Sequence, residues 1–197
     1  MKIIGLCGGS GSGKGVVCKL FNEFGIDTID TDRIYHELTS TKSECLDELV
    51  MEFGERILSD GILNRSVLRD IVHAEKKYLI LNDITHKHIL GRVRDLIDEY
   101  EKRGSKGVIV DAPALFESGF DQECDYVICV YAKMETRINR IMERDGISRE
   151  IAEKRVYAQI SSDWLRDNCD YVIENDSTYQ ELRISVLAAK MKFFDLL

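Results

Sequence analysis

The sequence has few of the features that mark membrane, secreted or nucleic-acid-binding chains. It holds one proline in 197 residues, no apolar run of about 18 residues and no N-terminal stretch that is first basic and then apolar. We therefore expect no membrane span and no secretory signal, and we expect a cytoplasmic protein. The net charge of −8, from 27 basic and 35 acidic residues, argues against a general nucleic-acid or membrane surface.

The cysteines do not form a metal-binding pattern along the sequence. No two of them are spaced as CxxC, and several lie within apolar strand or helix patterns. This distribution favours buried free thiols in a reducing compartment over a zinc site. The six are Cys7, Cys18, Cys45, Cys124, Cys129 and Cys169.

What the chain does contain is a phosphate-binding spacing at its N-terminus. An apolar run from Ile3 to Cys7 predicts a buried strand, and Gly8-x4-Gly13-Lys14 follows it. Glycine lets backbone N–H groups wrap a phosphate, the following helix adds its positive dipole end, and the lysine reaches the outer phosphates. The residues expected to hold a nucleotide here are Gly9, Ser10, Gly11, Ser12, Gly13, Lys14, Gly15 and Val16.

One position in this loop departs from the full motif. The motif ends in Lys-Ser or Lys-Thr because that hydroxyl ligates Mg²⁺, and here the position is Gly15. We expect the loop to bind a nucleotide phosphate while its metal is held in a different way.

The order of apolar runs predicts an α/β fold of a single domain with an insertion. A strand, a loop, a helix and a strand within about 30 residues form a βαβ unit, so we expect a parallel sheet. Helices on both faces would make three layers. The predicted strands are Ile3–Cys7, Ile26–Asp30, Gly107–Asp111, Tyr126–Tyr131 and Tyr171–Ile173.

The region between the second and third strands is predicted to be helical without strand alternation, with a break from Gly54 to Gly61. Between Tyr78 and Tyr100 we predict two helical segments, with Gly91 and the stretch from His86 to His88 as weak points. Near the C-terminus, Thr178-x-x-Glu181 predicts a capping box that opens the last helix.

Acidic residues follow the second and third predicted strands. Asp30 and Asp32 come after one strand, and Asp111 ends the next. Ligands bind beyond the carboxyl ends of such strands, so we expect these carboxylates to converge with Lys14 and to serve phosphoryl transfer with Mg²⁺. The alternatives remain open: Asp30 and Asp32 could cap a helix, and Asp111 could be a turn residue.

A cluster of cations is predicted on two later helices. Arg137, Arg140 and Arg144 are spaced three and four apart and share one helical face, and Arg155 shares a face with Gln159. They suggest a lid that closes over a triphosphate, excludes water and neutralises developing charge. The alternative is a solvated charged face.

Together these motifs resemble the dephospho-CoA kinase family, which is similar to the nucleoside monophosphate kinases. The match covers nearly the whole chain, and its Asp-Gly-x-Leu and Pro-x-Leu-Phe-Glu pieces are more specific than the loop. Beyond the loop, the matching stretches are Ile29–Asp32, Asp60–Arg69, Leu81–His86, Asp111–Gly119, Arg140–Gly146, Arg155–Gln159 and Asp170–Asn175.

The resemblance implies ATP-dependent phosphorylation of the 3′-hydroxyl of dephospho-CoA, the last step of coenzyme A synthesis. It implies Asp32 as the base, Lys14 on the β- and γ-phosphates, and a P-loop fold with a helical insertion and a lid. Asp32 and Asp111 would hold Mg²⁺, in part through water. Further implied contacts are Arg140 and Arg144 in the lid, Arg65, His86, Asp111 and Pro113 near the acceptor, and Asn175 near adenine.

The implied organisation is a core of about 1–35, 104–136 and 168–197, an acceptor-binding insertion of about 36–103 and a lid of about 137–167. The expected partner is the small molecule dephospho-CoA, with no nucleic acid or membrane, and the chain would be a monomer or a small homo-oligomer. Departures from the family pattern are Gly15, Lys87, Ala114, Arg137 and Leu165.

Three alternatives differ in class. Another nucleoside- or nucleotide-type small-molecule kinase would share the fold. A catalytically impaired nucleotide-binding homologue would explain Gly15. A regulatory GTPase would need an Asn-Lys-x-Asp motif, which the sequence lacks, and a glycine where Ala114 stands.

Overall fold

The computed structural model describes residues 1–195, so the last two residues of the predicted core segment 168–197 lie outside the described residues. The strands are β1 (Lys2–Cys7), β2 (Asp27–Asp30), β3 (Leu58–Ser59), β4 (Ile62–Leu63), β5 (Gly107–Asp111), β6 (Tyr126–Tyr131) and β7 (Tyr171–Glu174). The helices are α1 (Lys14–Glu23), α2 (Thr31–Ser40), α3 (Glu44–Phe53), α4 (Arg65–Glu75), α5 (Tyr78–Lys102), α6 (Met134–Asp145), α7 (Arg149–Tyr157), α8 (Ser162–Asp167) and α9 (Tyr179–Lys190).

The chain divides into two compact units. The first unit comprises residues 1–29 and the chain from Glu99 onward, and the second comprises Asp30–Asp98. The main sheet has the strand order β2-β5-β1-β6-β7. The pairings of β1 with β5, β1 with β6 and β6 with β7 are parallel. The predicted α/β fold with a five-stranded parallel sheet is confirmed.

The core of the first unit explains why β1 lies in the middle of the sheet. Ile4 and Leu6 of β1 are fully buried, as are Ile109 of β5 and Ile128 of β6. Near-continuous apolar runs of this kind are typical of parallel strands that helices cover on both faces. Phe21 of α1 belongs to the same core cluster.

The second unit has its own apolar core, formed by α3, α4 and the segments between them. Its fully buried members include Cys45, Leu49 and Ile57, and Leu68 and Val72 pack against them. The predicted helical character of this region is therefore correct in outline.

Two sequence-based details in the second unit are wrong. First, the region contains a small antiparallel hairpin, β3–β4, in which Leu58 pairs with Leu63 and Ser59 with Ile62. Its two-residue turn is Asp60-Gly61, with positive φ values of 52° and 78°. An Asp-Gly turn of this conformation matches the twist of a hairpin, so the signal was present in the sequence.

Second, residues 78–102 form one continuous helix rather than two segments. Gly91 does not break it, because a single glycine inside a long helix costs only about 1 kcal/mol relative to alanine. The capping box at the start of α9 is confirmed: Thr178 and Glu181 satisfy each other's backbone N–H groups. Within residues 1–195, no helix has the length and apolar character needed to cross a membrane.

Candidate active site

The glycine-rich loop lies between the end of β1 and the start of α1. Gly13, the residue before the helix, has a φ of 96°. A Cβ there would clash with the side-chain nitrogen Nδ2 of Asn175. Gly11 has a φ of 80°, and its Cβ would lie 2.6 Å from the backbone oxygen of Arg137. Both positions therefore need glycine because of backbone conformation and because of close neighbours.

Side chains from α6 and from the residue after β7 hold the loop through its carbonyl oxygens. The buried amide of Asn175 donates a 2.7 Å hydrogen bond to the carbonyl oxygen of Ser12. Arg140 donates to the carbonyl oxygens of Gly11, at 3.3 Å, and of Asn175, at 2.9 Å. These bonds fix the outward-facing carbonyl groups, which favours N–H groups that face a bound phosphate.

Arg137 fixes the other end of the loop. Its side chain is buried, and its Nε donates a 2.9 Å hydrogen bond to the carbonyl oxygen of Ser10. It also donates to the carboxamide of Gln159, at 3.1 Å, and to the hydroxyl of Ser162. Gln159 in turn accepts a 2.8 Å bond from the N–H of Ser10. Burial lowers the pKa of Arg137 from its ordinary value.

Lys14 and Asp111 meet at this loop, as the sequence predicts. The Lys14 ammonium donates a 3.1 Å hydrogen bond to the carbonyl oxygen of Gly8 and lies 3.9 Å from Oδ1 of Asp111. The thiol of Cys18 donates to the other Asp111 oxygen, at 3.6 Å. The ends of β1 and β5 thus bring a cation and a carboxylate together at the sheet edge where ligands bind in such folds.

Gly15 is the second residue of α1, and a Cβ added there would meet no atom within 4 Å. The position can therefore accept a serine or threonine side chain without a clash. The packing around position 15 therefore does not explain why the sequence lacks a hydroxyl there. Val16, the next predicted nucleotide contact, is 39% exposed.

A cavity of about 220 Å³ opens beside the loop. Cys7, Gly8 and Gly9 form one wall, and Pro113 and Phe116 line it from the segment after β5. The structure therefore brings Pro113, one of the predicted substrate contacts, next to the phosphate-binding loop.

The outer part of the predicted lid is organised around Asp145 at the end of α6. Arg144 donates to both carboxylate oxygens, at 2.7 and 3.0 Å, and Arg155 of α7 also donates to this carboxylate. The hydrogen bonds from Arg144 lead the effects that lower the pKa of Asp145, and the charge of Arg155 adds to them. Of the predicted lid arginines, Arg137 and Arg140 contact the loop, whereas Arg144 and Arg155 contact Asp145.

In the second unit, helix capping accounts for Asp30 but not for Asp32. Asp30 is the N-cap of α2 and accepts a 3.0 Å hydrogen bond from the N–H of Arg33. Asp32 is the second residue of the helix, so its carboxylate is not the cap. A capping hydrogen bond therefore accounts for Asp30 only, whereas Asp32 lies in the first turn of α2, where the helix dipole favours a negative charge.

Arg65, the first residue of α4, lies against the helical face that begins at Asp32. Tyr35 and Thr39 follow Asp32 by three and seven residues and so share its face of α2. The Arg65 guanidinium lies 5.3 Å from the centre of the Tyr35 ring and 3.4 Å from the Thr39 hydroxyl. His86 lies on α5 and is half-buried.

Sequence reasoning left two contributors to the loop without a role, Gln159 and Ser162. The four-residue spacing of Arg155 and Gln159 was the available signal, but it could not show that Gln159 reaches Ser10. The same reasoning placed Asn175 near adenine, a role that stays a prediction. Its amide lies under the loop at Ser12.

A parallel sheet, a glycine-rich loop after its first strand, and a lysine beside a strand-end aspartate define a P-loop phosphotransferase. A family model described as dephospho-CoA kinase matches residues 2–181. The chain belongs to the dephospho-CoA kinase family, which phosphorylates dephospho-CoA at the expense of ATP.

Individual relatives agree with this assignment. A dephospho-CoA kinase from Fusobacterium nucleatum is 40% identical over 182 residues, covering 91% of this chain and 92% of the relative. The dephospho-CoA kinase structure from Campylobacter jejuni has a TM-score of 0.73 at 25% identity, covering 99% and 98%. A structure from Thermus thermophilus, whose name states no activity, has a TM-score of 0.83 at 27% identity, covering 100% and 98%.

Proposed function

We propose that Asp32, Lys14 and Asp111 carry the transfer of the γ-phosphoryl group of ATP to the 3′-hydroxyl of dephospho-CoA. The observation that supports it best is the ammonium of Lys14 3.9 Å from Oδ1 of Asp111, beside a loop whose carbonyl groups are fixed from outside. Phosphoryl transfer depends mainly on positioning and on charge stabilisation, and this pair supplies both at a preorganised phosphate cradle.

Lys14 has the role of reaching the β- and γ-phosphates. Its ammonium now bonds to Gly8 and faces Asp111, so a short side-chain movement would carry it to a triphosphate held by the loop. The hydroxyl of Ser12 is buried and has no hydrogen-bond partner within residues 1–195. A buried unpaired hydroxyl is costly, and a phosphate oxygen at the loop would satisfy it.

The residues at the loop suit Mg²⁺, which prefers oxygen ligands and keeps several waters. Asp111 and Asp32 are the residues that would hold it, in part through water, and Gly15 offers no hydroxyl ligand. When bound, Mg²⁺ would supply positive charge that stabilises the negative charge of the transferred phosphoryl group. Binding and orienting the substrates, and accepting the proton, are the tasks of the protein's own side chains.

Asp32 is proposed as the base that accepts the proton of the attacking 3′-hydroxyl. Helix capping does not explain an aspartate at this position. Arg65 contacts Tyr35 and Thr39, which lie on the same face of α2 as Asp32. We propose that Arg65 and His86 bind the acceptor and that the second unit forms the acceptor-binding region. Arg140 and Arg144, with the α6–α7 segment, would neutralise charge and exclude water during transfer.

The decisive experiment compares Asp32→Asn with Asp30→Asn in a coupled assay of ADP release from Mg-ATP and dephospho-CoA, with coenzyme A identified as product. Loss of a general base costs about 10²- to 10⁴-fold in kcat. We expect that loss for Asp32→Asn, with the Kd of ATP unchanged. Asp30→Asn is the matched control, because asparagine caps a helix as well as aspartate does.

Turnover by Asp32→Asn within a few-fold of the parent would refute the role of Asp32. Acceptor identity needs its own panel, in which dephospho-CoA is compared with nucleosides and nucleoside monophosphates. A higher kcat/KM for any of those would favour a different small-molecule kinase of this fold.

A further inference from the structure

Three thiols from three segments of the chain meet within the sheet. Cys7 is the last residue of β1, and Cys129 is its register partner on the neighbouring strand β6. Cys169 lies just before β7, the next strand of the sheet. Their three Sγ atoms all lie within 4.8 Å of one another, and those of Cys7 and Cys169 are 3.4 Å apart.

These separations match those of ligands around a single ion. Zinc lies about 2.3 Å from each thiolate, so two sulfur atoms of a tetrahedral zinc site are about 3.8 Å apart. The 3.4 Å separation of Cys7 and Cys169 is slightly below that value and no pair exceeds 4.8 Å, so side-chain rotations would bring all three sulfur atoms to it.

The burial of the cluster suits a site that is closed on one side and open on the other. Cys7 and Cys129 are 2% and 1% exposed, whereas Cys169 is half-buried. Cys7 also lines the cavity beside the phosphate-binding loop. An ion can therefore enter past Cys169 or from the cavity, and a fourth ligand position can be filled by water or by another small ligand.

We propose that Cys7, Cys129 and Cys169 bind one thiophilic d10 cation of the Zn²⁺ class. Binding converts the three thiols to thiolates, and their protons pass to solvent. The bound ion ties β1, β6 and β7 together one residue before the loop begins at Gly8. It is a site separate from the Mg²⁺ of phosphoryl transfer, because its ligands are sulfur atoms and Mg²⁺ requires oxygen.

The test is a titration of the reduced, full chain with Cd²⁺, followed by the ultraviolet thiolate-to-metal charge-transfer band, with Zn²⁺ as competitor. We expect saturation at one equivalent and displacement of Cd²⁺ by Zn²⁺. We also expect Zn²⁺ to raise the Tm by roughly 5 °C or more, because a ligand that binds only the folded chain stabilises it by mass action.

Cys169→Ser is the first variant, because its half-buried position tolerates a hydroxyl, and Cys129→Ser is the second. Each should weaken Cd²⁺ binding at least tenfold and abolish the Tm shift. Cys124→Ser is the matched control: this thiol lies outside the cluster and donates to the carbonyl oxygen of Phe120 at 3.3 Å, a bond that a hydroxyl keeps.

The proposal would be overturned by the absence of a band at one equivalent. An equal band and an equal Tm shift in Cys169→Ser, Cys129→Ser and the parent would overturn it as well. Neither readout measures kinase turnover, so the result of this test does not depend on whether the roles proposed for Asp32 and Asp111 are correct.

Discussion

The side-chain amide of Asn175, the residue after β7, donates a 2.7 Å hydrogen bond to the carbonyl oxygen of Ser12 in the phosphate-binding loop. Both residues are buried. The bond joins the chain just after β7 to the loop that follows β1. It makes the conformation of the loop depend on residues more than 160 positions away.

Asn175→Asp is expected to damage the loop without changing the size of the side chain. A carboxylate oxygen would face the Ser12 carbonyl oxygen, leaving two buried acceptors and no donor at a cost of about 1–3 kcal/mol. We expect a Tm lower by about 3–10 °C and weaker ATP binding, measured by thermal melts and calorimetry.

The control is Asn168→Asp. The amide of Asn168 also donates to a backbone carbonyl, that of Trp164 at 2.8 Å, but on the exposed surface. Water can replace this bond, so the Tm should change little. Equal effects of the two substitutions would show that the Asn175 bond does not support the loop.

Gly15→Ser and Gly15→Ala separate the missing hydroxyl from the helix itself. The position has room for a side chain, and both substitutions should raise the free energy of unfolding by up to about 1 kcal/mol because glycine is a poor helix residue. Only serine can ligate Mg²⁺. We expect Gly15→Ser alone to reduce the Mg²⁺ concentration at half-maximal rate and to raise kcat; identical Mg²⁺ curves for the two variants would mean that the hydroxyl is irrelevant.

Arg140→Lys tests whether a forked side chain is needed beside the loop. Arg140 bonds to the Gly11 and Asn175 carbonyl oxygens with different nitrogens, and a single ammonium cannot reproduce this geometry. We expect a lower Tm and about tenfold weaker ATP binding. The comparison is Arg144→Lys, which affects an exposed pair with Asp145 and should leave the Tm nearly unchanged. A fall in kcat with Tm and ATP affinity intact would assign Arg140 to the chemical step alone.

Asp145 is expected to make the α6–α7 segment sensitive to acid. Arg144 and Arg155 lower its pKa in the folded chain. Its contribution is therefore complete above the pKa of the unfolded chain, about 3.9, and is lost as the pH falls through the lower folded value. Carboxyl NMR should show Asp145 titrating below an ordinary aspartate.

The stability difference between the parent and Asp145→Asn should correspondingly shrink in acid. Glu150→Gln serves as control, since it removes an exposed i,i+4 pair with Lys154 and should cost less than about 0.5 kcal/mol. A carboxyl of Asp145 that titrates at the ordinary aspartate value would contradict the arginine contacts.

Much of this molecule could be predicted from local patterns. Apolar runs located the five main strands, and the Gly8-x4-Gly13-Lys14 spacing located the loop, because strand burial and phosphate cradles each have a short-range signature. The hairpin at Asp60-Gly61 was missed although its turn signal was present. The prediction of a break near Gly91 was wrong because a long helix tolerates one glycine.

The sequence by itself determined the αβ order, the glycine loop, the missing hydroxyl at Gly15 and the family. Only the tertiary structure decided which donors hold the loop and that Cys7, Cys129 and Cys169 form one cluster, although their spacing had favoured separate buried thiols. The physical reason is the strand order. Parallel pairing of β1 with β6 brings residues more than a hundred positions apart into contact, and pairing of β6 with β7 adds residues 43 positions further along; no local periodicity records such distances.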